Sequence, residues 1–253
     1  MSEAGPHRTS NQDSAFIATW GAAVADGVGG GPSGDLASSA FIHRLVAGVH
    51  GRLSLDGWLQ RIRIANWDLR AHIERDAALL GMATTFTGLL AARDGTVVLA
   101  HTGDSRAYLL RDGTMTRESH DDSYVQVLVD RGLLDEAEAA THPQRNIITA
   151  SMHGGDEDVV AIVSRPAVEG DRWLLCSDGV TDYLPERHVA TLLAQGTPSA
   201  CAQSIVDLAL HVGSRDNITA VVCDVVADQE RSATAPVFAG AAAERFGEQL
   251  ESA

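Results

Sequence analysis

Apolar and polar positions alternate at two distinct periods along the chain. From 14 to 26 a run of small and apolar residues predicts two short strands, Ser14–Thr19 and Gly21–Ala25. Over 34–50, Ala37, Phe41, Leu45 and Val49 recur every four residues and predict one apolar helical stripe. Ser54 can cap a second long helix that carries Trp58, Ile62, Ala65, Leu69 and Ile73 at the same spacing and stops by Gly81. The period then returns to two. Thr84–Ala92, Thr96–Thr102 and Arg106–Arg111 read as strands, with hairpin signals at Arg93-Asp94-Gly95 and Arg111-Asp112-Gly113. Residues 121–140 turn helical and acidic, and strands follow at 158–164 and 172–177. Two helices, 186–195 and 198–211, precede a last strand at 217–226. Strands separated by pairs of helices predict an α+β fold. Its expected form is a four-layer α-β-β-α sandwich, two antiparallel sheets packed face to face with helices outside.

The domain is expected to span 1–227, with a helical insertion over about 119–150. Residues 228–253, rich in Ala, Glu and Ser, read as a flexible or loosely docked tail, because the helix-forming 241–250 shows no stripe to dock it. The 253 residues suffice for a large core. A formal charge of −15, with all 19 basic side chains arginine, argues against sequence-independent nucleic-acid binding. No stretch is apolar enough for a membrane span, and the polar start lacks a signal-peptide core. Cys176, Cys201 and Cys223 lack paired spacing and read as buried thiols of a cytoplasmic protein.

The chemistry concentrates where apolar strands end. Val24-Ala25-Asp26-Gly27 is a strand-like run ending in a carboxylate, followed by the glycine-rich Val28-Gly29-Gly30-Gly31-Pro32-Ser33-Gly34-Asp35. Pro32 fits a first helical turn, and Asp35 suits the start of the helix that follows. Trp173-Leu174-Leu175-Cys176-Ser177-Asp178-Gly179 repeats the design, Arg215-Asp216-Asn217-Ile218-Thr219 opens the last strand with a carboxylate, and Gly103-Asp104-Ser105-Arg106 sits between strands. Near the start, Arg8-Thr9-Ser10-Asn11-Gln12-Asp13 places a guanidinium and a carboxylate before the first strand. Any one of these alone is more often a tight turn with Asp as local cap than a ligand. Together at one end of a sandwich they would repel strongly unless divalent cations neutralised them.

Taken in order, Arg8…Asn11-Gln12-Asp13, Ala25-Asp26-Gly27-Val28-Gly29-Gly30, Gly103-Asp104-Ser105-Arg106, Ser177-Asp178-Gly179 and Asp216-Asn217-Ile218-Thr219 resemble the metal-dependent protein phosphatases. These are the type 2C Ser/Thr phosphatases, here in a compact bacterial form, and the resemblance covers about 8–226. It implies a dinuclear Mn²⁺ or Mg²⁺ centre. Asp26 would bridge the ions, Gly27 would give its carbonyl to one, and Asp178 and Asp216 would ligate the other. Asp13 matches a position that holds metal-bound waters. Asp104 matches one that holds a third, weaker ion beside Asp178, and Arg8 matches the arginine that grips the substrate phosphate. The implied reaction is hydrolysis of phosphoserine and phosphothreonine by a metal-bridging water, opposing bacterial protein kinases.

The implied partners are phosphorylated proteins, kinases and their targets, acted on by a monomer without nucleic acid or membrane. Val28 stands where many eukaryotic relatives carry a histidine that protonates the leaving group, which leaves that acid unassigned. Asp122 matches the aspartate of an Asp-His-Ser triplet, without the histidine, and 119–150 matches the mobile flap of the family. Two other readings keep the fold: a phosphatase of one dedicated regulator protein, and a catalytically silent binding module. Loss of a metal aspartate would mark the latter, and Asp26, Asp178 and Asp216 are all present.

Overall fold

The computed structural model describes residues 1–28, 33–227 and 235–250, with residues 246–250 described through their backbone only. The glycine turn at 29–32 and the tail at 228–234 and 251–253 lie outside the described residues. In chain order the elements are β1 (Ser2–Glu3), β2 (Asp13–Ala18), β3 (Gly21–Val28), α1 (Gly34–Val46), α2 (Leu55–Arg75), β4 (Ala83–Thr84), β5 (Phe86–Ala91), β6 (Thr96–Thr102), β7 (Arg106–Arg111) and β8 (Thr114–Arg117). They continue with α3 (Tyr124–Asp130), α4 (Glu136–Thr141), β9 (Ala161–Pro166), β10 (Arg172–Cys176), α5 (Asp178–Thr181), α6 (Glu186–Leu193), α7 (Pro198–His211), β11 (Ile218–Asp224), β12 (Val237–Gly240) and α8 (Ala241–Leu250).

Two sheets result, and every neighbouring pair of strands is antiparallel. One has the order β1-β11-β10-β7-β8; the other has β12-β2-β3-β5-β6-β9, with β4 added alongside β3. Alternation along each strand sorts the side chains into three apolar layers. Ala22, Val24 and Leu89 of one sheet meet Leu109, Trp173, Leu175 and Val221 of the other between the sheets. Their neighbours Ala23, Ala25, Phe86 and Leu90 point outward into α1 and α2, where the stripes Ala37-Phe41-Leu45 and Trp58-Ile62-Ala65-Leu69 lie. On the opposite face, Leu174, Cys176, Ala220 and Val222 pack against Val189, Leu193, Ile205 and Val206 of α6 and α7. Trp20 stacks on Trp58, ring centroids 5.7 Å apart, both fully buried. The expected α-β-β-α sandwich is the fold observed.

The elements differ from the expectations mainly at their ends. Ser54 caps α2, its Oγ accepting from the Gly57 N–H at 3.1 Å, but the helix stops at Arg75. There Asp76 turns extended and caps a short 3₁₀ turn over Ala77–Leu79. The run Thr84–Ala92 is broken at Thr85, whose N–H leaves the ladder for the Asp26 carbonyl at 2.8 Å. The helical insertion is two short helices, each with its own cap, Ser123 and Asp135.

The largest difference is the C-terminal segment. Within the expected tail, Val237–Gly240 pairs with β2 in register from Val237↔Ile17 to Gly240↔Ser14. Ala241 and Ala242 are buried, and Arg245 Nε donates to Asp35 Oδ2 at 2.7 Å. No helical stripe signals this docking, because its anchors are a strand pairing, Phe238 stacked on His43 with ring centroids 4.2 Å apart, and two buried alanines. A chain ending at Ala227 should therefore lose about 2–4 kcal/mol of burial and pairing. That corresponds to a melting temperature lower by roughly 5–10 °C in a domain of this size. Calorimetry of the truncated and full chains checks this; equal melting temperatures would mean that 235–250 adds nothing to the domain.

Candidate metal centre

Strand register places the first two carboxylates. Asp13 and Asp26 are directly opposite on β2 and β3, so both lie at the end of the sheet where α1 begins. Backbone bonds tie this corner together: the Gly27 N–H donates to the Gln12 carbonyl at 3.1 Å, and the Gln12 N–H donates to Asn217 Oδ1 at 2.8 Å. Gly27 has no room for a side chain, since a Cβ would lie 2.1 Å from the Gly34 carbonyl oxygen where α1 starts. Around Asp26, Thr85 Oγ1 accepts its N–H at 3.0 Å and Thr84 Oγ1 donates to its carbonyl at 2.9 Å. Thr85 also bonds Ser105 Oγ at 2.9 Å, which links Asp26 to the turn carrying Asp104.

The other sheet supplies the rest. β10 ends at Cys176, and Asp178 begins α5 immediately after it; Asp216 lies two residues before β11. Gly179 lets these two loops touch, because a Cβ there would sit 1.9 Å from the Asn217 carbonyl oxygen. Asn217 fixes the Asp216 loop, its Nδ2 donating to the Ala4 and Ser10 carbonyls at 3.0 Å each. The turn with Asp104 is clamped by the insertion: Asp122 N–H donates to the Gly103 carbonyl at 2.7 Å, and Gly103 N–H donates to Asp122 Oδ2 at 3.0 Å. Asp121 instead receives the Arg106 guanidinium, at 2.7 Å from Nη2.

Asp13, Asp26, Asp104, Asp178 and Asp216 thus gather from both sheets at one edge of the sandwich. Asp13 is fully buried, and the other four are half-buried. Burial pushes the Asp13 carboxyl up to about 6 and the Asp104 carboxyl up to about 7. Asp26 and Asp178 are pushed well above the ordinary carboxylate value, first by burial and then by the charges of their carboxylate neighbours. Asp13 Oδ2 accepts from Ser177 Oγ and Thr219 Oγ1, each at 2.7 Å. Its Oδ1 is buried without a hydrogen-bond partner, and so is Asp178 Oδ1. Orphaned buried carboxylate oxygens among like charges are the donor set expected around a hard divalent cation.

Arg8 lies at the rim, with Nη2 2.7 Å from Asp216 Oδ2 and Nε 3.3 Å from the Arg215 carbonyl. The sequence reading missed two rim residues. Asp182, four residues after Asp178, adds its charge to Asp104 and Asp178, and Arg145 of the insertion pairs with it at 3.2 Å. The i, i+4 spacing of Asp178 and Asp182 was the available signal. His142 faces Tyr124 and accepts the Gln144 N–H at 3.1 Å within the insertion.

The Protein phosphatase 2C family model matches residues 7–211. The serine/threonine protein phosphatase PstP of Mycobacterium tuberculosis is 38% identical over 246 residues, which are 95% of this chain and 47% of that protein. The chain therefore spans about half the length of that relative. The serine/threonine phosphatase stp of Listeria innocua is 32% identical over 209 residues, covering 79% of this chain and 82% of its own. The crystal structure of the PstP catalytic domain in complex with two manganese ions superposes with a TM-score of 0.82 at 36% identity, over 89% of this chain and 96% of that one. With the family match over most of its length and the carboxylate edge in place, the chain belongs to the protein phosphatase 2C family.

Proposed function

We propose that this chain is a metal-dependent phosphatase that removes phosphate from phosphoserine and phosphothreonine in proteins. The observation that carries the reading is the edge where both sheets deliver desolvated carboxylates with unpartnered oxygens. The names of the relatives, and the two manganese ions in the PstP catalytic domain, support it. The donors are all carboxylate or carbonyl oxygens, which suits Mn²⁺ or Mg²⁺. In this reading Asp26 would be common to two ions, the Gly27 carbonyl would serve one, and Asp178 and Asp216 the other. Asp104 would help to hold a third, weaker ion beside Asp178. Bound there, the ions supply a water of lowered pKa and neutralise charge on the phosphoryl oxygens.

The chain's own groups do the positioning. Two hydroxyl donors hold Asp13 Oδ2, so Oδ1 remains to accept a proton from water at the site. Arg8, at the rim beside Asp216, presents a planar fork that suits phosphate oxygens. Neither neighbouring side chain is available as a nucleophile: burial pushes the Cys176 thiol up to about 12, and Ser177 Oγ is committed to Asp13. The substrates are phosphorylated proteins, kinases and their targets among them, and the enzyme acts as a cytoplasmic monomer. Three free thiols support that compartment. Among the described residues no helix is long and apolar enough to cross a membrane.

Phosphate release from a phosphothreonine peptide should require Mn²⁺, stop with EDTA, and fall by at least about a thousandfold in Asp178→Asn. Mn²⁺-independent turnover, or an active Asp178→Asn, would overturn the metal assignment. Arg8→Ala should raise KM roughly tenfold with a smaller change in kcat, because its contact is already made with bound substrate. Its half-exposed pair with Asp216 adds little to stability. A steady-state comparison in saturating Mn²⁺ checks this, and an unchanged KM removes Arg8 from the phosphate site.

The raised carboxyl groups also fix a sign. Between about pH 4 and 7 the folded metal-free chain binds more protons at Asp13 and Asp104 than the unfolded chain does. Their contribution to stability is therefore full below the unfolded pKa and is lost as pH rises through the folded one. The melting temperature in EDTA should fall across that window, and Mn²⁺ should raise it most at the upper end. A metal-induced increase independent of pH would contradict the assignment.

A further inference from the structure

A second group of potential metal ligands lies outside the phosphatase centre, on the loop leading to β9. Among the described residues, His153, Glu157 and Asp158 bring one ligand atom each within 4.8 Å of one another. His153 Nδ1 lies 2.8 Å from Asp158 Oδ1, and its Nε2 lies 3.7 Å from Glu157 Oε1. A single ion takes one ring nitrogen, and ligands of a tetrahedral Zn²⁺ at about 2.0–2.1 Å stand about 3.3–3.5 Å apart. The exposed His153 and Glu157 side chains would therefore close on Asp158 by side-chain rotation from their spread of up to 4.8 Å.

The carboxylate oxygen at the centre of the group is the telling feature. The Asp158 side chain is 1% exposed. Its Oδ2 is satisfied by the His153 and Gly155 N–H groups at 2.8 and 3.0 Å. Its Oδ1 is buried with the imidazole Nδ1 2.8 Å away, but without the alignment of a hydrogen bond. The nearby Nδ1 is turned toward the Ser151 carbonyl at 3.4 Å instead.

A second carboxylate converges on the same point. A Cβ on Gly155 would lie 2.7 Å from Asp158 Oδ1 and 2.9 Å from Glu157 Oε1, so the bare glycine lets both carboxylates lie where a side chain would push them aside. The loop is docked firmly on α2. Asn66 accepts the Gly154 N–H at 2.9 Å and donates to the Gly155 carbonyl at 3.1 Å, while Arg70 Nη1 lies 3.2 Å from each Asp156 carboxylate oxygen.

We propose that His153, Glu157 and Asp158 form a three-ligand site for Zn²⁺ or a similar borderline divalent ion, with solvent completing the coordination. An imidazole among two carboxylates selects such ions over Mg²⁺, in contrast to the all-oxygen edge between the sheets. A short hydrogen-bonded path runs from this loop to that edge. Met152, next to His153, exchanges two backbone hydrogen bonds with Thr84 at 2.8 and 2.9 Å, and Thr84 Oγ1 donates to the Asp26 carbonyl.

The test dialyses the full chain, His153→Ala and Gly155→Ala against micromolar Zn²⁺ and counts metal per chain by mass spectrometry. Zinc taken by the phosphatase carboxylates is common to all three proteins and cancels in the difference. Both variants should retain one zinc fewer than the parent, with unchanged circular dichroism and unchanged Mn²⁺-dependent peptide hydrolysis. Gly155→Ala removes no ligand, so its loss reports the space itself. A parental zinc count in His153→Ala overturns the site and leaves the imidazole packed between two carboxylates without a metal. Loss in His153→Ala but not in Gly155→Ala overturns the three-ligand set.

Discussion

The structure depends on one electrostatic constraint: several carboxylates occupy one edge of a sandwich that offers them little water and few positive charges. The strongest charges felt by Asp26 and Asp178 are other carboxylates. Such a cluster lowers stability, and a fold can hold it only if the surrounding apolar layers are large and the loops rigid. Three apolar layers and three fully buried tryptophans meet the first need. Backbone and side-chain bonds around every acidic turn meet the second.

Asp13 ties the two sheets together at this edge. It starts β2 in one sheet, and its Oδ2 takes hydroxyl protons from Ser177, at the end of β10, and Thr219, on β11, both in the other sheet. Thr219 N–H also donates to Ser177 Oγ at 3.0 Å, so the three residues close a buried polar network across the sandwich. The sequence reading gave Asp13 only a place near metal-bound water. The structure adds a second role: the same side chain sets the spacing between the sheet bearing Asp26 and the loops bearing Asp178 and Asp216.

Where a residue's role follows from a local pattern, the sequence was enough. Four-residue stripes marked α1 and α2, alternation marked the central strands, and the ends of apolar runs marked Asp26 and Asp178, with Asp13, Asp104 and Asp216 at turns or strand starts. The short edge strands β1, β8 and β12 escaped because each is at most four residues long and gains its order from a partner strand. Thr85 likewise reads as one more strand residue. Its exit from the ladder to serve Asp26 depends on β3 lying alongside, which no local window contains. The pairings Arg8–Asp216 and Arg145–Asp182 join residues far apart in the chain, so spacing could suggest neither.

Those two arginines also indicate what can neutralise the inner charges. Each sits at the rim on an outer carboxylate, where a guanidinium keeps part of its solvent contact: Arg8 is 46% exposed and Arg145 35%. Deeper in, Asp13 Oδ1 and Asp178 Oδ1 are sealed from solvent and unbonded. A planar fork on a long stem would have to shed its water to reach them and would displace the tightly packed turns at Gly27 and Gly179. A small divalent ion carries twice the charge and accepts oxygen donors from several directions. The packing that excludes an arginine from the inner carboxylates therefore favours a metal ion as their counter-charge, and it keeps both arginines at the rim.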